Sequence, residues 1–87
     1  MNKTSLIEFP CNFPVKIIGE NTDNFLEEIK AIVLNHFPEF IHSNLRHRGS
    51  GNNNFLAITV TVYVTSQEML DKFYLALHEC SDVKMVL

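Results

Sequence analysis

An 87-residue chain in which 46% of the residues are hydrophobic and 20% are charged has the composition of one small globular domain. Its formal net charge of −3 lacks the basic character that most nucleic-acid-binding domains share. No apolar run approaches the roughly 18–20 residues of a membrane-spanning helix, and residues 1–8 lack the apolar core of a signal peptide. Cys11 and Cys80 are too few for a disulfide scaffold. We therefore expect a cytoplasmic protein with free thiols and no membrane partner.

The first twelve residues show no periodicity and include Pro10, so we predict an extended arm over 1–12 and a single domain over 13–87. The domain opens with a strand over residues 13–19, because apolar side chains alternate along it as far as Gly19.

A helix is predicted next, with Asn21 or Thr22 as its N-terminal cap. Apolar residues recur at three- and four-residue spacing from Phe25 to Phe37, as on one face of an amphipathic helix. Pro38 cannot continue the helix and ends the pattern.

Two strands and a loop follow this helix. Residues 39–48 alternate in a way that suits a polar edge strand, and the Gly- and Asn-rich residues 49–54 predict a loop. Residues 55–65 alternate almost perfectly, which predicts a strand with one apolar face. That face consists of Leu56, Ile58, Val60, Val62 and Val64.

The last third of the chain predicts a helix and a strand. Thr65-Ser-Gln-Glu68 has the spacing of a capping box, a hydroxyl followed three residues later by a carboxylate. The helix that it starts runs to about Cys80. A short strand over 83–87 ends the chain, and alternation turns Val83, Met85 and Leu87 toward the core.

The predicted order is therefore β-α-β-β-α-β, in which each strand-helix-strand crossover is right-handed. This order specifies an α+β, ferredoxin-like sandwich: a four-stranded antiparallel sheet with two helices on one face.

The other face of that sheet has no predicted cover, and we call it the bare face. Four of the seven Lys and Arg residues fall on it without an acid, whereas most acids fall on or beside the helices. Alternation assigns to it Lys16, Ile18, His42, Asn44, Arg46, Arg48, Phe55, Ala57, Thr59, Thr61, Tyr63, Lys84 and Val86. The residues predicted to form an interaction surface are Lys16, Arg46, Arg48, Thr59, Thr61, Tyr63 and Lys84.

Three interpretations of the bare face remain open. It is a solvated sheet surface, since Thr and Lys suit exposed strands. Alternatively, it binds a protein partner or a second copy of the chain, with Ile18, Ala57, Tyr63 and Val86 as an apolar centre. A third interpretation is anion or RNA binding, because sheet-face RNA readers combine exposed aromatic rings with basic neighbours.

No constellation of residues predicts catalysis or metal binding. The serines lack a nucleophile-elbow context, and the Gly49-Ser-Gly51 segment has no following Lys-Ser or Lys-Thr of a phosphate loop. His78 and Cys80 lie two positions apart on a predicted helix and point in different directions. We predict no catalytic residue, no metal site and no cofactor, and therefore no enzyme.

Three segments of the chain resemble the YbeD family of small bacterial proteins of unassigned function. They are Glu8-Phe9-Pro10, the Ser-Gly-rich turn leading into Phe55-Leu-Ala-Ile-Thr-Val, and the terminal Asp82-Val-Lys-Met-Val-Leu87. The resemblance covers essentially the whole chain and implies a fold similar to ACT domains, modules that sense amino acids in metabolic enzymes. A link by gene neighbourhood to lipoate metabolism implies a regulatory role.

By the same resemblance, the turn after the first strand is expected to bind a small effector through Gly19, Glu20 and Asn21. The function that we predict is a non-enzymatic regulatory or interaction module. It would sense a small metabolite or dock on an enzyme of lipoate or amino-acid metabolism, as a homo-dimer or with a protein partner. The alternative is RNA binding through the bare face.

Overall fold

The structure is a computed structural model and describes residues 8–52 and 54–87. Most of the predicted arm, residues 1–7, therefore lies outside the described residues, and its last two residues already belong to the first strand. The elements are β1 (Cys11–Glu20), α1 (Phe25–His36), a 3-10 helix (His42–Asn44), β2 (Leu45–Gly49), β3 (Phe55–Val64), α2 (Gln67–His78) and β4 (Val83–Val86).

The four strands form one antiparallel sheet in the order β2-β3-β1-β4. Both helices pack on the same face of it, so the prediction of a ferredoxin-like α+β fold is confirmed. The longest ladder joins β1 to β3 over ten residues of each strand, from Cys11 opposite Val64 to Glu20 opposite Phe55. This pair forms the centre of the sheet.

The core lies between this central pair and the helices. Alternation turns every second residue of β1 and β3 inward, and each helix contributes one apolar stripe. Phe37 and Phe73 pack edge to face at its centre, with ring centroids 5.0 Å apart. The buried side chains are Val15, Ile17, Phe25, Ile29, Val33, Phe37, Leu56, Ile58, Val60, Val62, Val64, Leu70, Phe73 and Leu77.

Both helices begin later than the sequence suggested. The N-cap of α1 is Asn24, not Asn21 or Thr22, and the Thr22 hydroxyl instead donates a hydrogen bond to Asp82 Oδ2 at 3.1 Å. The cap of α2 is Ser66, whose Oγ accepts from the Met69 N–H at 3.2 Å. The capping box predicted at Thr65 is therefore wrong: the cap is one residue later, and the residue three positions after it is Met69, which has no carboxylate.

The edge strand β2 is shorter than predicted. His42 and Asn44 belong to the 3-10 helix, so their predicted place on the bare face is wrong. The Asn44 N–H donates to the Ile41 carbonyl within that turn, which takes it out of a ladder with β3. As a result, β2 pairs with β3 only from Gly49 opposite Leu56 to Leu45 opposite Val60.

A bulge in β4 reverses the predicted sides of its last residues. Val83 lies opposite Gly19 but Met85 lies opposite Ile18, so Lys84 is an extra residue without a partner of its own. A one-residue shift exchanges the two faces of a strand. Val86 therefore packs against the core, whereas Met85 and Leu87 are 50% and 61% exposed, and the predicted placement of all three is wrong.

Candidate functional site

The bare face brings most of the predicted interaction residues together in two rows across the sheet. Because opposite residues of antiparallel strands point the same way, the register assigns the members of each row. The rows are Arg46–Thr59–Lys16 and Arg48–Ala57–Ile18. Neighbouring strands lie about 4.8 Å apart, so the cations at the two ends of the first row sit on backbone positions about 10 Å apart.

The prediction that this face carries no acid is wrong. Strand β1 runs one residue past Gly19, which places Glu20 beside β4, where its carboxylate pairs with Lys84 Nζ at 2.9 Å. Lys84 is thereby neutralised. By contrast, Lys16, Arg46 and Arg48 form no ion pair with any residue in the described ranges, and the residues outside those ranges include no acid.

An apolar centre lies beside these three cations. Ile18 and Ala57 are half-buried in the second row, and Met85 extends that row onto β4. Met85 thus takes the place that the sequence assigned to Val86. The two exposed aromatic rings, Phe55 and Tyr63, lie eight residues apart on one strand, or about 26 Å, so they form no joint stacking platform.

The predicted effector residues adjoin each other, but in a packed end of the sheet. Gly19 is buried within β1, where a Cβ would collide with the ring of Phe25 and approach the Asp82 carbonyl oxygen to 2.5 Å. The Glu20 N–H donates to that same carbonyl at 2.9 Å, and the Asn21 N–H donates to the Asn54 carbonyl at 3.1 Å. Effector binding here stays a prediction.

A groove at the opposite end of the sheet was not predicted from the sequence. It holds about 470 Å³, within the size range of small-ligand and peptide sites. Its wall is formed where the segment after α1 passes the end of β3. Its principal lining residues are Phe37, Glu39, Phe40, Thr61, Tyr63 and Met69.

The titratable groups give no sign of a nucleophile or metal centre. Burial raises the pKa of the Cys80 thiol, and the Glu28 carboxylate, 3.7 Å from its Sγ, raises it further against an opposing hydrogen bond with the Asp82 backbone. This thiol is therefore mostly protonated at neutral pH. Burial also raises the pKa of Tyr74. In residues 8–52 and 54–87, no three His, Cys, Asp or Glu residues cluster as metal ligands.

No helix in the described part of the chain has both the length and the apolarity needed to cross a membrane.

Solved structures with the same fold have little sequence identity to this chain. The solution structure of protein HP0495 from Helicobacter pylori is similar with a TM-score of 0.74 at 16% identity, over 98% of this chain and 89% of that one. The solution structure of the ACT domain from GTP pyrophosphokinase of Chlorobium tepidum is similar with a TM-score of 0.68 at 14% identity, over 87% and 84%. At such identities the similarity establishes an ACT-like fold.

Full-length relatives are found among bacterial proteins named UPF0250. The relative from Nitrosomonas europaea is 40% identical over 87 residues, which is all of both chains. That from Chromobacterium violaceum is 45% identical over 85 residues, or 98% of this chain and 96% of the relative. None of these names states an activity. The family model described as "Protein of unknown function (DUF493)" matches residues 4–87. The resemblance to the YbeD proteins is thus confirmed, and the chain belongs to the DUF493 family of UPF0250 proteins.

Proposed function

We propose that this chain is a non-enzymatic interaction module of the cytoplasm that docks on a metabolic enzyme through its bare face and modulates it. The observation that carries the proposal is the set of three exposed cations, Lys16, Arg46 and Arg48, which have no acid partner among the described residues and border an apolar centre. Charges left unpaired around apolar side chains are typical of the polar rim of a protein interface.

The chemistry of this face defines the partner surface. Ile18, Ala57 and Met85 would contact an apolar patch, and carboxylates around that patch would meet the three cations. At physiological ionic strength exposed charges are largely screened beyond about 8 Å, so Arg46 and Arg48, about 7 Å apart along β2, act jointly on an approaching acidic surface. Lys16, about 10 Å from Arg46, adds a more independent contact. The proposed partner surface is therefore apolar at its centre and acidic at its rim.

The ACT-like fold supports this assignment by analogy. The similar ACT domain is part of GTP pyrophosphokinase, so this fold occurs as an accessory unit of an enzyme. In the present chain the same fold would act in trans, as a separate protein. The effector role predicted for Gly19, Glu20 and Asn21 is left out of the proposal, because their backbones are already engaged at the packed end of the sheet.

The test compares partner capture by two charge-reversed variants. Arg46→Glu with Arg48→Glu reverses the bare face, whereas Lys30→Glu with Lys72→Glu makes the same change of charge on the helices. We expect the unmodified chain and the helix variant to capture the same metabolic enzyme, and the face variant to capture at least about tenfold less of it. Addition of the unmodified chain should also change the activity of that enzyme. Equal capture by both variants would contradict the proposal. Binding of single-stranded RNA alone, lost steeply with salt, would establish the RNA alternative instead.

A further inference from the structure

The open edge of β3 is a second surface that could bind a partner. Strand β2 pairs with β3 only as far as Val60, so residues 61–65 continue beyond it, and among residues 8–52 and 54–87 no strand lies on that side. The Ser50 N–H donates to the Phe55 carbonyl across this edge at 2.9 Å. Backbone groups of alternate residues point to the same edge of a strand. The N–H and C=O groups of Thr61 and Tyr63 therefore point outward from the sheet.

The opposite side of the strand supports the same orientation. Thr61 lies opposite Pro14 of β1, and proline has no N–H to give to a ladder. The pairing of Leu45 with Val60 brings the Thr61 N–H to the Asn44 carbonyl, whereas the Thr61 carbonyl and the N–H and C=O of Tyr63 form no backbone hydrogen bond with a described loop residue. This stretch thus presents a ready template for one more strand.

The other free edges of the sheet are protected, and this one is not. Strand β4 carries the bulge at Lys84, and the edge strand β2 carries two charged side chains, Arg46 and Arg48. Bulges and charged side chains are the usual means by which edges avoid pairing. Residues 61–65 read Thr-Val-Tyr-Val-Thr, with high β-propensity and neither charge nor proline.

The groove described above lies directly against this open edge. Phe37, Phe40 and Met69 supply apolar surface on its helical side, where alternate side chains of an added strand would point. Glu39 is the one charged side chain among the described residues that line it. An incoming segment would therefore be extended, apolar at alternate positions and basic rather than acidic.

We propose that the edge of β3 at residues 61–65 binds an extended, apolar and basic peptide segment of a partner protein as a fifth strand. Main-chain hydrogen bonds to Tyr63 and to the Thr61 carbonyl hold the segment, and the groove and Glu39 select its side chains. A five-residue segment spans about 17 Å, the length of this edge. The site uses backbone atoms and the groove, so it is independent of the bare-face cations.

The test uses the full isotope-labelled chain and three capped seven-residue peptides. The first alternates valine and lysine, the second has glutamate in place of lysine, and the third is the first with alternate backbone nitrogens methylated. We expect the first peptide to shift the amide signals of residues 37–44 and 61–65, and to slow hydrogen exchange at Tyr63. The second and third should bind more weakly, because they lose the charge match and the main-chain donors respectively.

Two charge variants make the test specific. Glu39→Lys should weaken binding of the lysine peptide about two- to fivefold, as for loss of one exposed ion pair, whereas Glu79→Lys, a change elsewhere on the surface, should not. Arg46→Glu with Arg48→Glu should keep the footprint on Thr61 and Tyr63, which separates this site from the bare face. A result in which that footprint disappears, or in which no peptide produces it, would overturn the proposal.

Occupation of the edge by the protein itself would also overturn the proposal. Slow exchange at Tyr63 without peptide, disappearing on tenfold dilution, would show a second copy on the edge. Slow exchange that is independent of concentration would show that a segment of the same chain covers it.

Discussion

Gly19 has a packing role at the end of β1. Its Cα faces the ring of Phe25, which starts α1, and the carbonyl of Asp82, which precedes β4. Three elements meet there, and the absence of a side chain lets them approach. From the sequence alone, a glycine that gives a loop its backbone freedom cannot be told from one that leaves space for a neighbouring aromatic ring. The effector loop expected here follows from the resemblance to ACT domains and stays a prediction, while the structure adds the close contact of Gly19 with Phe25 and Asp82.

Gly19→Ala should therefore destabilise the protein by about 1–3 kcal/mol, because the added methyl group has no space and its neighbours are a ring and a backbone carbonyl. Gly51→Ala is the matched control, since a Cβ there meets nothing within 4 Å and should change stability by less than about 0.5 kcal/mol. Urea unfolding measures both. Equal stabilities of the two variants would show that Gly19 is not closely packed.

Cys80 should react slowly with iodoacetamide at pH 8. Burial, and then the Glu28 carboxylate, raise the pKa of its thiol, so less of the reactive thiolate is present than for an ordinary thiol. In a Cys11→Ala background, Glu28→Gln should lower this pKa and speed alkylation, because it removes the negative charge next to Sγ. Glu27→Gln, whose carboxylate pairs with Lys30 instead, should leave the rate unchanged. A rate that does not respond to Glu28→Gln would contradict the assigned contact.

At the scale of elements, patterns within one segment were more informative than patterns that depend on a second segment. Strand β3 and the apolar stripe of α1 follow from alternation and from three- and four-residue spacing, and both were predicted. The sides of β4 were not, because the bulge at Lys84 arises from its register with β1. Likewise, residues 42–44 alternate like a strand, yet their backbone forms a 3-10 turn.

The start of α2 allows a direct test of the cap. Ser66→Ala should lower the free energy of unfolding by about 0.5–2 kcal/mol, since it leaves the Met69 N–H without its acceptor. Thr65→Ala should cost less, because the Thr65 hydroxyl reaches only the weakly accepting Met69 sulfur, at 3.5 Å. Urea unfolding of the two variants decides between Ser66 and Thr65. A larger loss of unfolding free energy for Thr65→Ala than for Ser66→Ala would show that Thr65 is the cap, as the sequence suggested.

At the scale of the whole molecule, one face of the sheet packs against the helices, and the other carries the cations through which we propose that a partner binds. The helices and the inward rows of β1 and β3 form the core, and the outward rows carry the unpaired cations. Alternation alone predicted which residues of the central strands lie on each face. The ion pair between Glu20 and Lys84 required the tertiary register. The groove was not foreseeable, since its residues come from four separate parts of the chain.

The measurement that tests the central claim most directly is an amide footprint of the captured partner on the isotope-labelled chain. Docking through the bare face predicts that signals broaden or shift for outward residues of the central strands, such as Lys16, Ile18 and Thr59, and for Arg46 beside them. Signals from the exposed sides of α1 and α2 should stay in place. Changes confined to the helices, with Lys16 and Arg46 unaffected, would contradict the account.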